Sequence, residues 1–309
     1  MPRFPPSRLA LAVSAILLGA PDAHAACVTL GSVTTCDATA PDPWTSTVGT
    51  GSNAGEDNRR VELQPGSRLQ TGNANAISLR DSAVILIGGG STVSATASST
   101  AGLSAAGGNT IELRSNGVVD IAAGGQILAT GTQASAEALN LLGSGNVVSN
   151  SGLIQARTAA AIWLDNSTGG NTLVNTATGV IQAPGTAVGG TGNGALRFTN
   201  EGRVIGNVLF AGGDDVLDLG GRIEGAVRQG GGNDIVLLRA GSVITGTLAQ
   251  DAGDDRLDVQ GGSVGGAVTQ GLGDDTAVLA AGTLASLDQG EGADSLTVSG
   301  GSVTGTVQQ

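Results

Sequence analysis

From residue 210 onward the chain repeats itself about every twenty residues, and few folds accommodate that period. Aligning the rows on one aspartate places Asp215, Asp234, Asp255, Asp275 and Asp294 in a single column. Five residues earlier stand Phe210, Gln229, Gln250, Gln270 and Gln289. Aliphatic residues follow the aspartate at the second and fourth positions, as in Leu217 and Leu219 or Leu257 and Val259. A second aliphatic pair closes each row: Ile223 and Val227, Val243 and Leu248, Val264 and Val268, Leu284 and Leu287, Val303 and Val307. Self-similarity at this period marks a solenoid, in which each repeat is one coil stacked on the next.

Within a row, apolar and polar residues alternate, as in Leu217-Asp218-Leu219, which is the period of a strand with one buried face. Glycine pairs such as Gly220-Gly221, Gly261-Gly262 and Gly300-Gly301 recur where a coil must turn a corner. The expected fold is therefore all-β, a right-handed parallel β-helix forming one elongated domain. A single coil cannot fold alone, because a few buried aliphatic side chains do not offset the entropy of ordering its backbone. Stacking supplies the missing ladder.

The middle of the chain follows the same logic with looser spacing. Short runs recur at Ile77-Ser78-Leu79, Ile111-Glu112-Leu113, Leu139-Asn140-Leu141, Ile162-Trp163-Leu164 and Leu196-Arg197-Phe198. The resulting division is a leader over 1–25, an N-terminal cap over 26–60, irregular coils over 61–200 and regular Gly/Asp-rich coils over 201–309. About eleven to thirteen coils account for residue 60 to the end. The leader reads as a signal peptide: Arg3 and Arg8 precede an apolar run from Leu9 to Ala20, and Ala23-His24-Ala25 forms a small-residue cleavage site. That run is too short to span a bilayer, and no later segment reads as a transmembrane helix.

Removing the leader takes away Arg3, Arg8, Asp22 and the lone His24, leaving 12 arginines against 25 acidic residues and a net charge of −13. Such a surface repels nucleic acid and anionic membranes. Cys27 and Cys36 are the only cysteines, and in an exported chain an even count most simply forms a disulfide, here a staple on the cap.

The phrases Pro43-Trp44-Thr45-Ser46-Thr47-Val48-Gly49, Gly72-Asn73-Ala74-Asn75-Ala76-Ile77, Ala161-Ile162-Trp163-Leu164, Gly169-Gly170-Asn171-Thr172-Leu173-Val174-Asn175 and Phe210-Ala211-Gly212-Gly213-Asp214-Asp215 resemble the passenger domain of a Gram-negative autotransporter, the type V secretion system. The resemblance implies export, a right-handed β-helix, passage through an outer-membrane translocation barrel and display at the cell surface. Because Gln309 falls in mid-row, the reading frame is expected to run on through another acidic corner into such a barrel.

The chemistry available is limited. Gly261-Gly262-Ser263-Val264-Gly265 matches a nucleophile elbow, but the chain beyond the leader has no histidine to serve as base, so the match reads as corner glycine. The Gly271 to Ala277 and Gly230 to Val236 stretches fit most of a calcium-binding nonapeptide repeat, yet Asp and Asn cap tight turns unaided. Asn146, Asn150, Asn171 and Asn175 read as stacked corner ladders, Trp163 as an outward-facing aromatic, and Ser94 to Ala106 as flexible or close-packed small-residue corners. No catalytic, cofactor-binding or metal residue is assigned and no cofactor is expected. The expected function is a non-enzymatic adhesin or cell-contact protein whose partners are surface ligands of a host or neighbouring cell. The alternatives are a β-helical glycan-cleaving enzyme and a calcium-stabilised secreted repeat protein.

Overall fold

The computed structural model describes residues 27–50, 54–97, 108–165 and 169–309. The leader, His24 and most of the small-residue run after Ala97 lie outside them. The described chain is nearly all β, wound into a parallel β-helix of about eleven turns. Three ladders run along it. The first begins with Val33–Cys36 and continues through Arg60–Leu63, Val84–Ile87 and Val118–Ile121 to Val147–Asn150, each strand parallel to the next. The second joins Arg68–Thr71, Thr92–Ala95, Gln126–Ala129 and Leu153–Ala156. The third joins Ile77–Ser78, Ile111–Leu113, Leu139–Leu141 and Ile162–Asp165. In the last regular coils single strands bend around the corners, so that Arg256–Leu272 and Thr276–Glu291 each serve all three ladders.

Alternation decides which side chains enter the core. Leu217, Val236, Leu257 and Ala277 stack in one inward column, and Leu219, Leu238, Val259 and Leu279 in the next. The second ladder buries Ile223, Ile244, Val264 and Leu284, and the third Val227, Leu248, Val268 and Leu287. One expectation needs correcting. The row alignment groups Val243 with Leu248 as an aliphatic pair, but Val243 pairs with Arg222 and is only half-buried, while Ile244 pairs with Ile223 and is fully buried. That coil is longer than its neighbour, and in a strand a one-residue slip exchanges the two faces.

At the N-terminal end Cys27–Leu30 pairs antiparallel with Val33–Cys36, setting Cys27 directly opposite Cys36, and the two form the expected disulfide. This reversed strand ends the parallel ladder. The stack starts inside the segment assigned as a cap: Trp44 bridges to Leu69 and Val48 to Ile77, so residues 33–50 make a first, partial coil. Trp44 is partly buried and packs against the core.

Glycine is required where coils touch backbone to backbone. Gly271 has φ +119°, and a Cβ there would lie 1.7 Å from the Asp251 carbonyl oxygen.

Polar columns run beside the aliphatic ones. Asn150, Asn175 and Asn200 are wholly buried, and each amide donates to the oxygen of the next, at 2.8 and 2.7 Å. Gln229, Gln250, Gln270 and Gln289 form a second ladder in which the last three each donate Nε2 to the preceding Oε1 at 3.0–3.2 Å and also to a strand carbonyl. Phe210, buried at the head of that column, replaces the amide with a ring. Amides suit such columns because one group both donates and accepts. The asparagines are thus the stacked corner ladders expected from the sequence. Replacing Asn175 with alanine removes one of the two acceptors of the Asn150 amide and the donor to Asn200 Oδ1. We expect a loss of about 1–3 kcal/mol, read from urea unfolding of the whole protein. A loss within error would show that the ladder is incidental.

Candidate functional site

Some outward positions on adjacent coils hold arginine–carboxylate pairs, such as Arg239 with Asp218 and Arg203 with Glu224. These are solvent-exposed and contribute little. The corner between the second and third ladders differs. There the segments 130–138 and 157–161 connect the strands, the strand Val180–Thr191 shifts register between Gln182 and Val188, and a cleft of about 490 Å³ is left, within the range of small-molecule sites. Glu137, Thr158, Trp163 and Thr186 line it. A second cleft of about 400 Å³ lies directly beside it, lined by Gln155, Arg157, Gln182 and Pro184. Arg157 and Thr158 are consecutive, as are Pro184 and Gly185, so the two clefts share a wall.

Each side chain owes its place to the ladder. Ile162 and Leu164 point inward, which turns Trp163 outward, as alternation requires. Its neighbour on the next coil is Gly189, where a Cβ would sit 3.1 Å from the indole. The glycine therefore makes the space into which the ring packs. On the other side Trp163 pairs with Asn140, and Asn140 with Glu112. Asn140 is 7% exposed and its Oδ1 is buried without a hydrogen-bond partner. Glu137 stands in the 130–138 segment, its backbone N–H held by Asn109 Oδ1 at 3.0 Å. Burial pushes its carboxyl up to about 7, the charge of Glu112 adds to the shift, and its own backbone N–H opposes it. Sequence reasoning assigned no role to Glu137. The available signal was a single acid within the small residues Ala134-Ser135-Ala136-Glu137-Ala138.

The aspartate column lies inside the helix. Asp215, Asp234, Asp255 and Asp275 are each at most 2% exposed. One oxygen of each accepts the backbone N–H of the preceding row: Asp234 from Asp215, Asp255 from Asp234 and Asp275 from Asp255, each at 2.8 Å. Asp215 accepts from Leu196 at 2.5 Å. Every Oδ2 in the column is buried without a partner. Burial is the main cause that raises the carboxyls of Asp215 and Asp255 to about 7, Asp234 to about 8 and Asp275 to about 6, while the accepted N–H opposes it. Neighbouring acids, including Asp214, Asp254 and Asp274, add to the rise.

The same column continues into the irregular coils, where register places Leu196, Asn171 and Asn146 at this position. Asn171 accepts the N–H of Asn146 at 2.9 Å, as the aspartates do, but its Nδ2 also donates to the Gly143 carbonyl. A protonated aspartate has nearly the shape of that asparagine and, like it, one acceptor oxygen and a donor on the other branch. One oxygen of each aspartate is taken by an N–H donor, and among the described residues the acids do not converge in the groups of three or more that a cation site needs. Ser263 of the elbow-like match is an ordinary strand residue whose N–H donates to the Ser242 carbonyl.

The chain matches no family model, no curated protein and no solved structure.

The aspartate column makes stability pH-dependent. An unfolded aspartate titrates near 3.9 and the folded ones between about 6 and 8, so the folded state holds more protons across that window. The contribution is complete below about pH 4 and is lost as pH rises through the folded values. We expect the melting temperature to fall between about pH 5 and pH 8 at fixed ionic strength, by calorimetry. The variant Asp234→Asn/Asp255→Asn should flatten that fall and melt higher than wild type at the alkaline end. A melting temperature that rises across this window would contradict the assignment.

Proposed function

We propose that the chain is the exported, surface-displayed passenger of an autotransporter system, carried out through an outer-membrane barrel and working without catalysis as an adhesin or cell-contact protein. The observation that supports this most is the unbroken β-helix of about eleven turns. A rod of this kind presents outward columns of side chains over a long surface and needs no partner to hold its shape. The terminal disulfide suits an oxidising compartment. The net acidic surface disfavours nucleic acid as a partner. Among the described residues no helix is long and apolar enough to cross a membrane.

A second reading, glycan cleavage, draws on Glu137 and Glu112, two interacting carboxyls of which one titrates near neutrality beside Trp163. Incubating the purified protein with a polysaccharide panel and assaying reducing ends separates the two. We expect none above background; turnover abolished by Glu137→Gln would establish the enzyme instead.

Display is tested on intact cells of a Gram-negative host expressing the whole gene. Added protease should remove the protein from unbroken cells, and deleting residues 1–25 should leave it protease-resistant in intact cells with Cys27 and Cys36 reduced. Protection of the undeleted protein in intact cells would defeat the display reading.

A further inference from the structure

We infer that the corner occupied by Trp163, Glu137, Gln155, Arg157 and Gln182 is a binding site for a neutral oligosaccharide lying across successive coils. The inference gives the contact-protein reading a ligand class and deepens it.

Three observations carry it. The first is the platform. Trp163 is half-buried at the wall of the larger cleft, with its ring packed into the space that Gly189 leaves. An indole held in place by its neighbours binds a flat apolar face with little loss of side-chain entropy. Sugar rings present such a face, edged with hydroxyl groups.

The second is the uncommitted polar set. Gln155 and Gln182 stand side by side on neighbouring coils, half-buried, and neither side chain is engaged within the described chain. Arg157, beside them, has no ion pair among the described residues. This contrasts with the arginines of the regular coils, which are paired with acids. Amides that can donate and accept match hydroxyls, which do the same.

The third is the balance of charge. Glu137 lines one cleft and Arg157 the other. A cationic ligand spanning both would meet the guanidinium, and an anionic one would meet Glu137 and a surface of net negative charge. A neutral polyol meets neither penalty. Its length follows from the geometry. Equivalent residues on adjacent coils are about 4.8 Å apart, close to the rise of one sugar unit, so the three coils of this corner accommodate about three units.

The chain contains two tryptophans, which makes the test direct. In a Trp44→Phe background, Trp163 is the sole indole reporter. That protein, purified and folded, is titrated with short β-linked oligomers of glucose, xylose and N-acetylglucosamine, following fluorescence and heat. We expect a saturable change with at least one oligomer, at millimolar or tighter affinity. In the calorimetric arm Trp163→Ala should weaken binding by about tenfold or more. Gln182→Ala, which removes one amide and touches no core residue, should weaken it with unchanged melting. It decides the matter if the tryptophan variant is unstable. Oligomers of a uronic acid should bind more weakly than neutral ones. The inference is overturned by absence of saturable binding to every neutral oligomer, by tighter binding of the uronate, or by full binding in both variants. None of these outcomes depends on export, so failure here and failure of surface display are separate results.

Discussion

Every coil of this protein is hydrogen-bonded to a copy of itself one strand spacing away, and that parallel register governs the rest of the structure. A residue facing inward does not meet an assortment of neighbours. It meets its own equivalents above and below, so each inward position becomes a column along the helix. An aliphatic column satisfies itself at once, as Leu217, Val236 and Leu257 do. A polar column survives burial only when its members can hydrogen-bond to each other or to the backbone of the next coil.

The internal chemistry follows from that requirement. Asparagine and glutamine meet it with one donor and one acceptor per side chain, and the Asn150–Asn175–Asn200 and Gln229–Gln289 columns run unbroken. Aspartate meets half of it. Its Oδ1 takes the N–H of the preceding coil, while its Oδ2 is left buried and unpartnered. Burial is the main cause that raises these carboxyls, and the neighbouring acids stacked above and below add to the rise. The position belongs to leucine one coil further up and to asparagine two coils up, so the corner does not require a charge.

The regular coils leave little room for a site, because tight glycine corners bring backbone against backbone. The irregular coils do the opposite. Between the second and third ladders their corners carry a few extra residues, and the paired clefts lie there. Function is therefore proposed where the repeat is least perfect, and the perfect repeats serve as rigid support.

Much was legible in the sequence because a solenoid writes its periods along the chain. The fold class, the inward aliphatic positions of most rows, the outward direction of Trp163, the asparagine ladders and the Cys27–Cys36 staple all follow from period-two alternation, a period near twenty and a count of cysteines. The choice between Val243 and Ile244 did not, since alternation fixes a face only after the register is known, and the register comes from the adjacent coil. The same applies to the aspartates: a column of like charges was visible, but whether it faced water or the core was decided by which side of the corner the backbone turned. The cleft is the clearest case. Gln155 and Trp163 flank one corner of a single coil, but only the winding of one coil over the next brings Glu137 to them from one side and Gln182 from the other. Local pattern determined the coil, and stacking decided what lies beside what.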